Sequence, residues 1–260
     1  VALTEDQQQE FDRNGYLILP SLFSAEEIAL LRAQLPHLFS DDDPANILEK
    51  DGGPVRTAMG LHRRNHIFDK LSRHPRLVVP ARQLTGSALA LYIQQVKVNV
   101  KTAFEGETWQ WHYDFATHHH DDGVPQPLAL NLHVFLDEVN EFNGPLYFIP
   151  GSHKHGPAAV FHDISSTSYP LWVVYEETVS KLGADAGIVS ATGPAGTVLI
   201  FGDLMVHGSP SNMSPWDRSI YSLILNPVTN AQTKFSRPEY KHHTDFTIVT
   251  PLSDDCLLNC

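Results

Sequence analysis

The sequence predicts a mainly β protein, a jelly roll buttressed by helices, and three observations carry that expectation. In "LALYIQQVKVNVK", Val96, Val98 and Val100 alternate with polar residues, the period of two that marks a half-buried strand. Further apolar runs, "LALNLHVFLDEV", "GPLYFIPGS", "GTVLIFGD" and "SIYSLILNPV", are set apart by turn residues such as Asn143-Gly144-Pro145 and Gly193-Pro194. Helical signals are confined to the N-terminal third, so the chain does not read as an alternating α/β protein.

Taken in order, Thr4 with Gln7 and Ser24 with Glu27 form capping boxes that open two helices. The first is expected to run to about Arg13 and to stop at Gly15, a left-handed C-cap. "YLILP", Tyr16 to Pro20, is a short strand ended by proline. The second helix places Ile28, Leu30, Leu31 and Leu35 on one face. Residues 40–60 are polar, and "HIFDKLSRHPRLVVPARQLTG" predicts two more short helices broken at Pro75 and Pro80. With no linker, repeat or low-complexity tract, residues 1–260 are expected to form one domain: a helical third to about residue 87, a jelly-roll core over about 88–230, and a tail over 231–260.

Composition removes several function classes. Eighteen Lys+Arg against thirty Asp+Glu leave a formal net charge of −12, which disfavours a nucleic-acid binder or a binder of anionic membranes. No stretch has the length of apolar chain that crosses a bilayer, and the first residues lack the pattern of a signal peptide. Cys256 and Cys260 are the only cysteines and read as free thiols, in keeping with a reducing, cytoplasmic setting. Dinucleotide, P-loop and nucleophile-elbow motifs are missing from the strand-to-helix junctions. A small-molecule substrate, handled by a monomer or homodimer, is the expectation that remains.

"WQWHYDF" supplies the chemistry. His112 and Asp114 are two residues apart, which in a strand puts both side chains on one face. A polar pair among aromatics is costly unless something binds it. His207, at the end of "GTVLIFGDLMVHGS", is the best placed third ligand among fifteen histidines. Two imidazoles and one carboxylate make a facial triad with open positions, which suits non-haem Fe(II) and also admits Zn or Mn. Arg218 follows His207 by eleven residues, and a hairpin through "GSPSNMSPWD" would return it alongside. A buried arginine there meets a carboxylate with two parallel hydrogen bonds. Ser209 can donate to the same group. A dicarboxylate that chelates the metal and reaches the arginine describes 2-oxoglutarate.

These residues, with "NGPLYFIPGSHKHG", resemble the phytanoyl-CoA dioxygenase superfamily of Fe(II)/2-oxoglutarate oxygenases, and within it bacterial ectoine hydroxylases and leucine-type free-amino-acid hydroxylases. The resemblance spans about Leu3 to Val228, with an echo in "RPEY" from Arg237 to Tyr240. It implies a double-stranded β-helix of cupin type. It implies that His112, Asp114 and His207 bind iron, that Arg218 and Ser209 hold the distal carboxylate of 2-oxoglutarate, and that O2 is the oxidant. It places Gln95, Lys97 and Asn99 on a strand lining the site. His118 stands where ectoine hydroxylases carry tryptophan. Asp114 stands where related halogenases carry Ala or Gly to admit chloride, which implies hydroxylation.

The remaining candidates for substrate contact are His118, Trp111, Phe115, Asn131 and Arg56. Trp109, Trp111 and Phe115 read as dry walls or as core. Asn131 shares a strand face with His133. Arg56 reads as a substrate-carboxylate partner or, more commonly, a surface ion pair. His119 and His120 read as a solvated loop, and His153 and His155 as loop histidines bonded to backbone. The reaction expected is hydroxylation of an unactivated C–H in a free amino acid or similar small polar metabolite, giving succinate and CO2. Competing readings keep the cofactors but take a carrier-bound or natural-product intermediate, or make the chain a non-catalytic cupin-like module. A zinc hydrolase leaves the arginine unexplained.

Overall fold

The alternating valines near residue 96 lie in the longest ladder of the protein, paired antiparallel with the strand that begins at Arg218. The computed structural model describes residues 2–86 and 88–259. In chain order the elements are α1 (Glu5–Asn14), β1 (Tyr16–Leu19), α2 (Ala25–Ser40), β2 (Asn46–Leu48), β3 (Val55–Met59), α3 (Leu61–Arg64), α4 (His66–Ser72) and α5 (Pro75–Thr85). There follow β4 (Leu91–Lys101), β5 (Trp109–His112), α6 (Asp114–His120), β6 (Leu130–Phe135), β7 (Leu146–Phe148), β8 (Val160–Asp163), β9 (Leu171–Val174), α7 (Glu176–Ala186), β10 (Val189–Ala191), β11 (Val198–Gly202), β12 (His207–Ser209) and β13 (Arg218–Pro227).

Seven strands form one antiparallel sheet in the order β1-β11-β6-β13-β4-β3-β2, and four form a second in the order β10-β7-β12-β5. A separate hairpin pairs β8 with β9. Alternation sorts the large sheet's side chains. Val96 and Val98 of β4, Leu132 and Val134 of β6, Val198 and Ile200 of β11, and Tyr221 and Leu223 of β13 face the helical layer. There they meet Ile28, Leu31, Phe68, Leu71, Leu77 and Val78 in the main core. The intervening residues face the small sheet, where Phe135, Phe148, Leu199, Phe201, Met205 and Ile220 form a second core. Both faces are thus covered, and β4's polar positions lie between the sheets. This is the jelly roll the pattern predicts.

The helix caps match their sequence signals. Thr4 and Ser24 make complete capping boxes, and Gly15 takes φ +84° to close α1. Pro75 opens α5, but Pro80 does not break it. Pro80 is buried with Leu77, Val78 and Ala81, so packing offsets the roughly 3 kcal/mol that an interior proline costs. Two further expectations are corrected. The polar stretch over residues 40–60 contains β2 and β3, which extend the large sheet beside β4. Helices are not confined to the first third, since α6 and α7 lie beyond it. The strand expected at "YLILP" is present as β1, which joins the edge of the large sheet beside β11. Among the described residues no helix is long and apolar enough to cross a membrane. Cys256 is a buried free thiol, and Cys260 lies outside the described residues.

Three histidines packed as neutral rings set an expectation for acid stability. His62 and His243 meet edge to face with centroids 4.4 Å apart. Burial first, then the His243 charge, lowers His62 to about 3; burial and then Arg63 lower His243 to about 3. Burial and Arg76 lower His74 to about 4. Unfolded histidine binds its proton near pH 6.5, so the unfolded chain takes up protons first as pH falls. The stability these rings contribute is complete above about pH 6.5 and declines progressively toward pH 3. The melting temperature should fall as pH drops from about 7 to 5, and His62→Phe should flatten that slope. An unchanged slope in the variant contradicts the assignment.

Candidate active site

The two imidazoles are brought together by one strand pair. His207 of β12 stands opposite His112 of β5 in antiparallel register, and their ring centroids are 4.1 Å apart. Each ring is oriented by the carbonyl two residues earlier: His112 Nδ1 lies 2.6 Å from Gln110 O and His207 Nδ1 2.8 Å from Met205 O. That leaves Nε2 of both free as ligand atoms. Asp114 arrives differently from the strand-face expectation. β5 ends at His112, Tyr113 is an N-cap, and Asp114 is the first residue of α6. The turn from strand to helix, fixed by Phe115 N donating to Asp203 O at 3.0 Å, swings its carboxylate beneath the rings. Its oxygens lie 3.6 Å from His112 Nε2 and 3.9 Å from His207 Nε2.

All three donor atoms fall within 4.8 Å of one another. Burial alone would raise the Asp114 carboxyl, but the His112 hydrogen bond and the charges of His207, His112 and Lys97 hold it well below the usual range. Burial and the His112 charge lower His207 to about 4. Asp114 and His207 are therefore unprotonated near neutral pH, as metal ligation requires. Two imidazoles and a carboxylate on one side fit a ferrous ion with open positions.

Arg218 faces the triad from the other sheet. The hairpin expectation is corrected here: β12 lies in the small sheet and β13 in the large one, so residues 210–217 cross between sheets. The result still brings the side chains together, because the Arg218 guanidinium donates to Ser209 Oγ at 3.1 Å and to Gly144 O at 2.6 Å. Ser209 Oγ donates to the same carbonyl at 2.9 Å. Arg218 is 1 % exposed, and burial lowers it to about 9. Its Nε has no protein partner, nor do Asn99 Oδ1, Asn131 Nδ2 and His133 Nδ1, which line the same cavity. Buried polar atoms are normally paired, so this set is built to meet a ligand. Lys97, lowered by burial, adds a second cation there, and Gln95 shares its face. Cations at one end and a metal triad at the other fit 2-oxoglutarate.

The Asn143-Gly144-Pro145 turn owes its glycine to this arrangement. Gly144 has φ +77°, and a Cβ there would stand 2.5 Å from Lys101 Cδ and 2.9 Å from Pro210 O. Lys101 is itself buried and donates to the carbonyls of Glu107, Ser209 and Pro210. Gly144→Ala should displace the carbonyl that Arg218 and Ser209 share, raising KM for 2-oxoglutarate about tenfold and costing about 2 kcal/mol of stability. Steady-state kinetics and thermal melts check both.

The cavity is partly open to solvent. Its apolar walls are Trp109, Leu146, Tyr169, Leu171, Phe201 and Ile220. Trp111 and Phe115 do not line it: they pack in a third cluster around α6 with Tyr113, Val124 and Val206. Asn131 and His118 do line it. Arg56 is neither a substrate contact nor a surface pair. It is fully buried, bonded to Glu49 at 2.8 Å and Thr108 O at 2.7 Å, with its guanidinium 4.0 Å above the Trp109 ring. His119 and His120 are exposed but helical rather than in a loop, and His153 Nε2 lies 3.2 Å from Asp12 O.

Sequence reasoning missed Arg237, Tyr169 and Thr117, all of which line the cavity. Arg237 pairs with buried Asp122, which also receives His242 at 2.8 Å. The "RPEY" echo was the available signal for Arg237. Tyr169 sits just before β9 and carried none.

A His-x-Asp pair and a distant histidine inside a jelly roll, facing a buried arginine, define an iron- and 2-oxoglutarate-dependent oxygenase. The chain belongs to the phytanoyl-CoA dioxygenase (PhyH) family, whose pattern matches residues 11–220, and is a 2-oxoglutarate-dependent non-haem iron hydroxylase. It is 36% identical over 233 residues to an ectoine dioxygenase of Stutzerimonas stutzeri, covering 86% of this chain and 76% of that one. It is 34% identical over 264 residues to an L-proline trans-4-hydroxylase of Streptomyces griseoviridis, covering 97% of each. Its fold matches the crystal structure of EctD from S. alaskensis with 2-oxoglutarate and 5-hydroxyectoine at a TM-score of 0.84 and 32% identity, over 96% of this chain and 87% of that one.

Proposed function

We propose that the protein hydroxylates an unactivated C–H of a free amino acid or similar small polar metabolite in the cytoplasm, with a cyclic secondary amino acid such as L-proline as the first candidate. The observation that carries this reading is a cavity that gathers three cations with the triad: Lys97 and Arg218 from strands of the large sheet, and Arg237 from the segment after β13. Arg218, bonded to Ser209, suits the cosubstrate, which leaves Arg237 to meet a substrate carboxylate. The near-complete mutual coverage with the L-proline trans-4-hydroxylase supports the choice of candidate.

His112, Asp114 and His207 would hold the iron, which supplies, with 2-oxoglutarate and O2, the oxidising power to insert one oxygen atom into a C–H bond. The second oxygen atom leaves in succinate, together with CO2. Arg218 and Ser209 hold the distal carboxylate, and Asn99, Gln95 and Lys97 flank it from β4. Arg237, braced by Asp122, holds the substrate's carboxylate. Trp109, Tyr169 and Leu171 exclude water and limit how the substrate can turn. The Asp114 carboxylate keeps a ligand position from chloride, which favours hydroxylation.

The test is a screen of free amino acids and cyclic imino acids with Fe(II) and 2-oxoglutarate, reading succinate and a product heavier by one oxygen atom. Succinate formation matched by an oxygenated L-proline or related amino acid is expected. Substrate-independent succinate with every amino acid tested would refute the substrate class.

A further inference from the structure

His118 and Asp203 form a buried pair that the proposed reaction does not by itself require. His118 lies four residues after Asp114 on α6, so both point to one side of that helix, and His118 lines the cavity. Its Nδ1 is 2.9 Å from Asp203 Oδ1, with side-chain exposures of 5% and 0%. Asp203 Oδ2 has no other partner. With Nδ1 engaged, Nε2 is the nitrogen left to face the cavity. The groups around the ring are Asp203, Asp114, Asp122 and His242, whose ring centroid is 6.2 Å away. His242 and Arg237 both bond Asp122, so His118 and Arg237 belong to one continuous patch of wall.

Burial decides which proton His118 shows. An isolated negative charge on Asp203 is costly away from water, so the pair favours a net-neutral state. Two such states exist, imidazolium with carboxylate and imidazole with carboxylic acid. Both leave a proton on Nε2. We propose that His118, backed by Asp203, is a specificity residue whose Nε2–H donates to a carboxylate oxygen of the substrate, alongside Arg237. Rings that carry no such donor at this position leave that oxygen to Arg237 alone. This rests on the amino-acid hydroxylase reading, and the experiment separates the two.

In the chain loaded with zinc in place of iron and with 2-oxoglutarate, 15N spectra of the His118 ring, assigned against His118→Gln, should show Nε2 protonated near neutral pH. In the iron enzyme, His118→Phe should raise KM for L-proline about tenfold while kcat changes much less. His118→Gln, which keeps an N–H donor, should recover much of that loss, and L-prolinamide should be affected less than L-proline. A bare Nε2 overturns the proposal whatever the enzyme turns over. An unchanged KM in His118→Phe overturns it while leaving the hydroxylase reading intact. If the wild type oxidises no amino acid, that reading fails, and the ring spectrum alone decides the state of His118.

Discussion

The double variant His112→Ala/Asp114→Ala is expected to lose its iron and all measurable hydroxylation. A lone imidazole at His207 cannot hold the ion, because two of the three donor atoms within 4.8 Å are gone. Elemental analysis should show metal near zero, and succinate release should fall at least a thousandfold, on the order of the cost of removing the group that carries the chemistry. The fold should survive. Neither side chain anchors a core: His112 and His207 stay in a strand pair held by backbone bonds, and Asp114 caps nothing. The melting temperature of the metal-free protein is therefore expected within a few degrees of the wild type. Iron-dependent turnover retained in the variant would remove these residues from the site.

Asp122→Ala should do the reverse. Asp122 is 1 % exposed and receives both Arg237 and His242. Truncating it leaves a largely buried guanidinium without its counter-charge, a loss of about 3 kcal/mol. For a chain of this size that lowers the melting temperature by on the order of 10 °C. Burial would raise this carboxyl, but hydrogen bonds from His242 and Arg237 hold it at about 2. Its contribution is therefore complete above about pH 4 and is lost as pH falls through 2. Iron content should persist while KM for the amino acid rises, since Arg237 loses its brace. One carboxylate thus carries chemistry without much stability, and the other carries stability that the substrate wall depends on. Calorimetry with metal analysis on both variants tests the contrast.

Much of this was legible in the chain. Alternation in β4 identified its face toward the site, and the turn residues located the strands of the core. The triad's members were identifiable because few residue types ligate iron, but their placement was not. Seven residues from Asp114 to His120 are too short to show a helical period among aromatics and histidines, so α6 read as strand and loop. Arg218 was found by spacing, although the path from His207 crosses between sheets rather than turning back in a hairpin. Arg56 looked like a surface ion because a sequence does not reveal that Glu49, Glu107 and Trp109 converge on it. Pro80 shows burial overriding a local breaker. Arg237 and Tyr169 were missed because they reach the cavity from segments with no periodic pattern.

The position of Arg237 has a consequence for how the site responds to substitution. The family match ends at residue 220, while Arg237 enters the cavity from the segment after β13, whose described residues add no strand to either sheet. The His112, Asp114 and His207 cluster and Arg218 thus lie within the stretch that the family pattern matches, whereas Arg237 lies after it. Substitution at Arg237 is therefore expected to change KM for the amino acid while iron content stays as in the wild type, which steady-state kinetics with metal analysis checks.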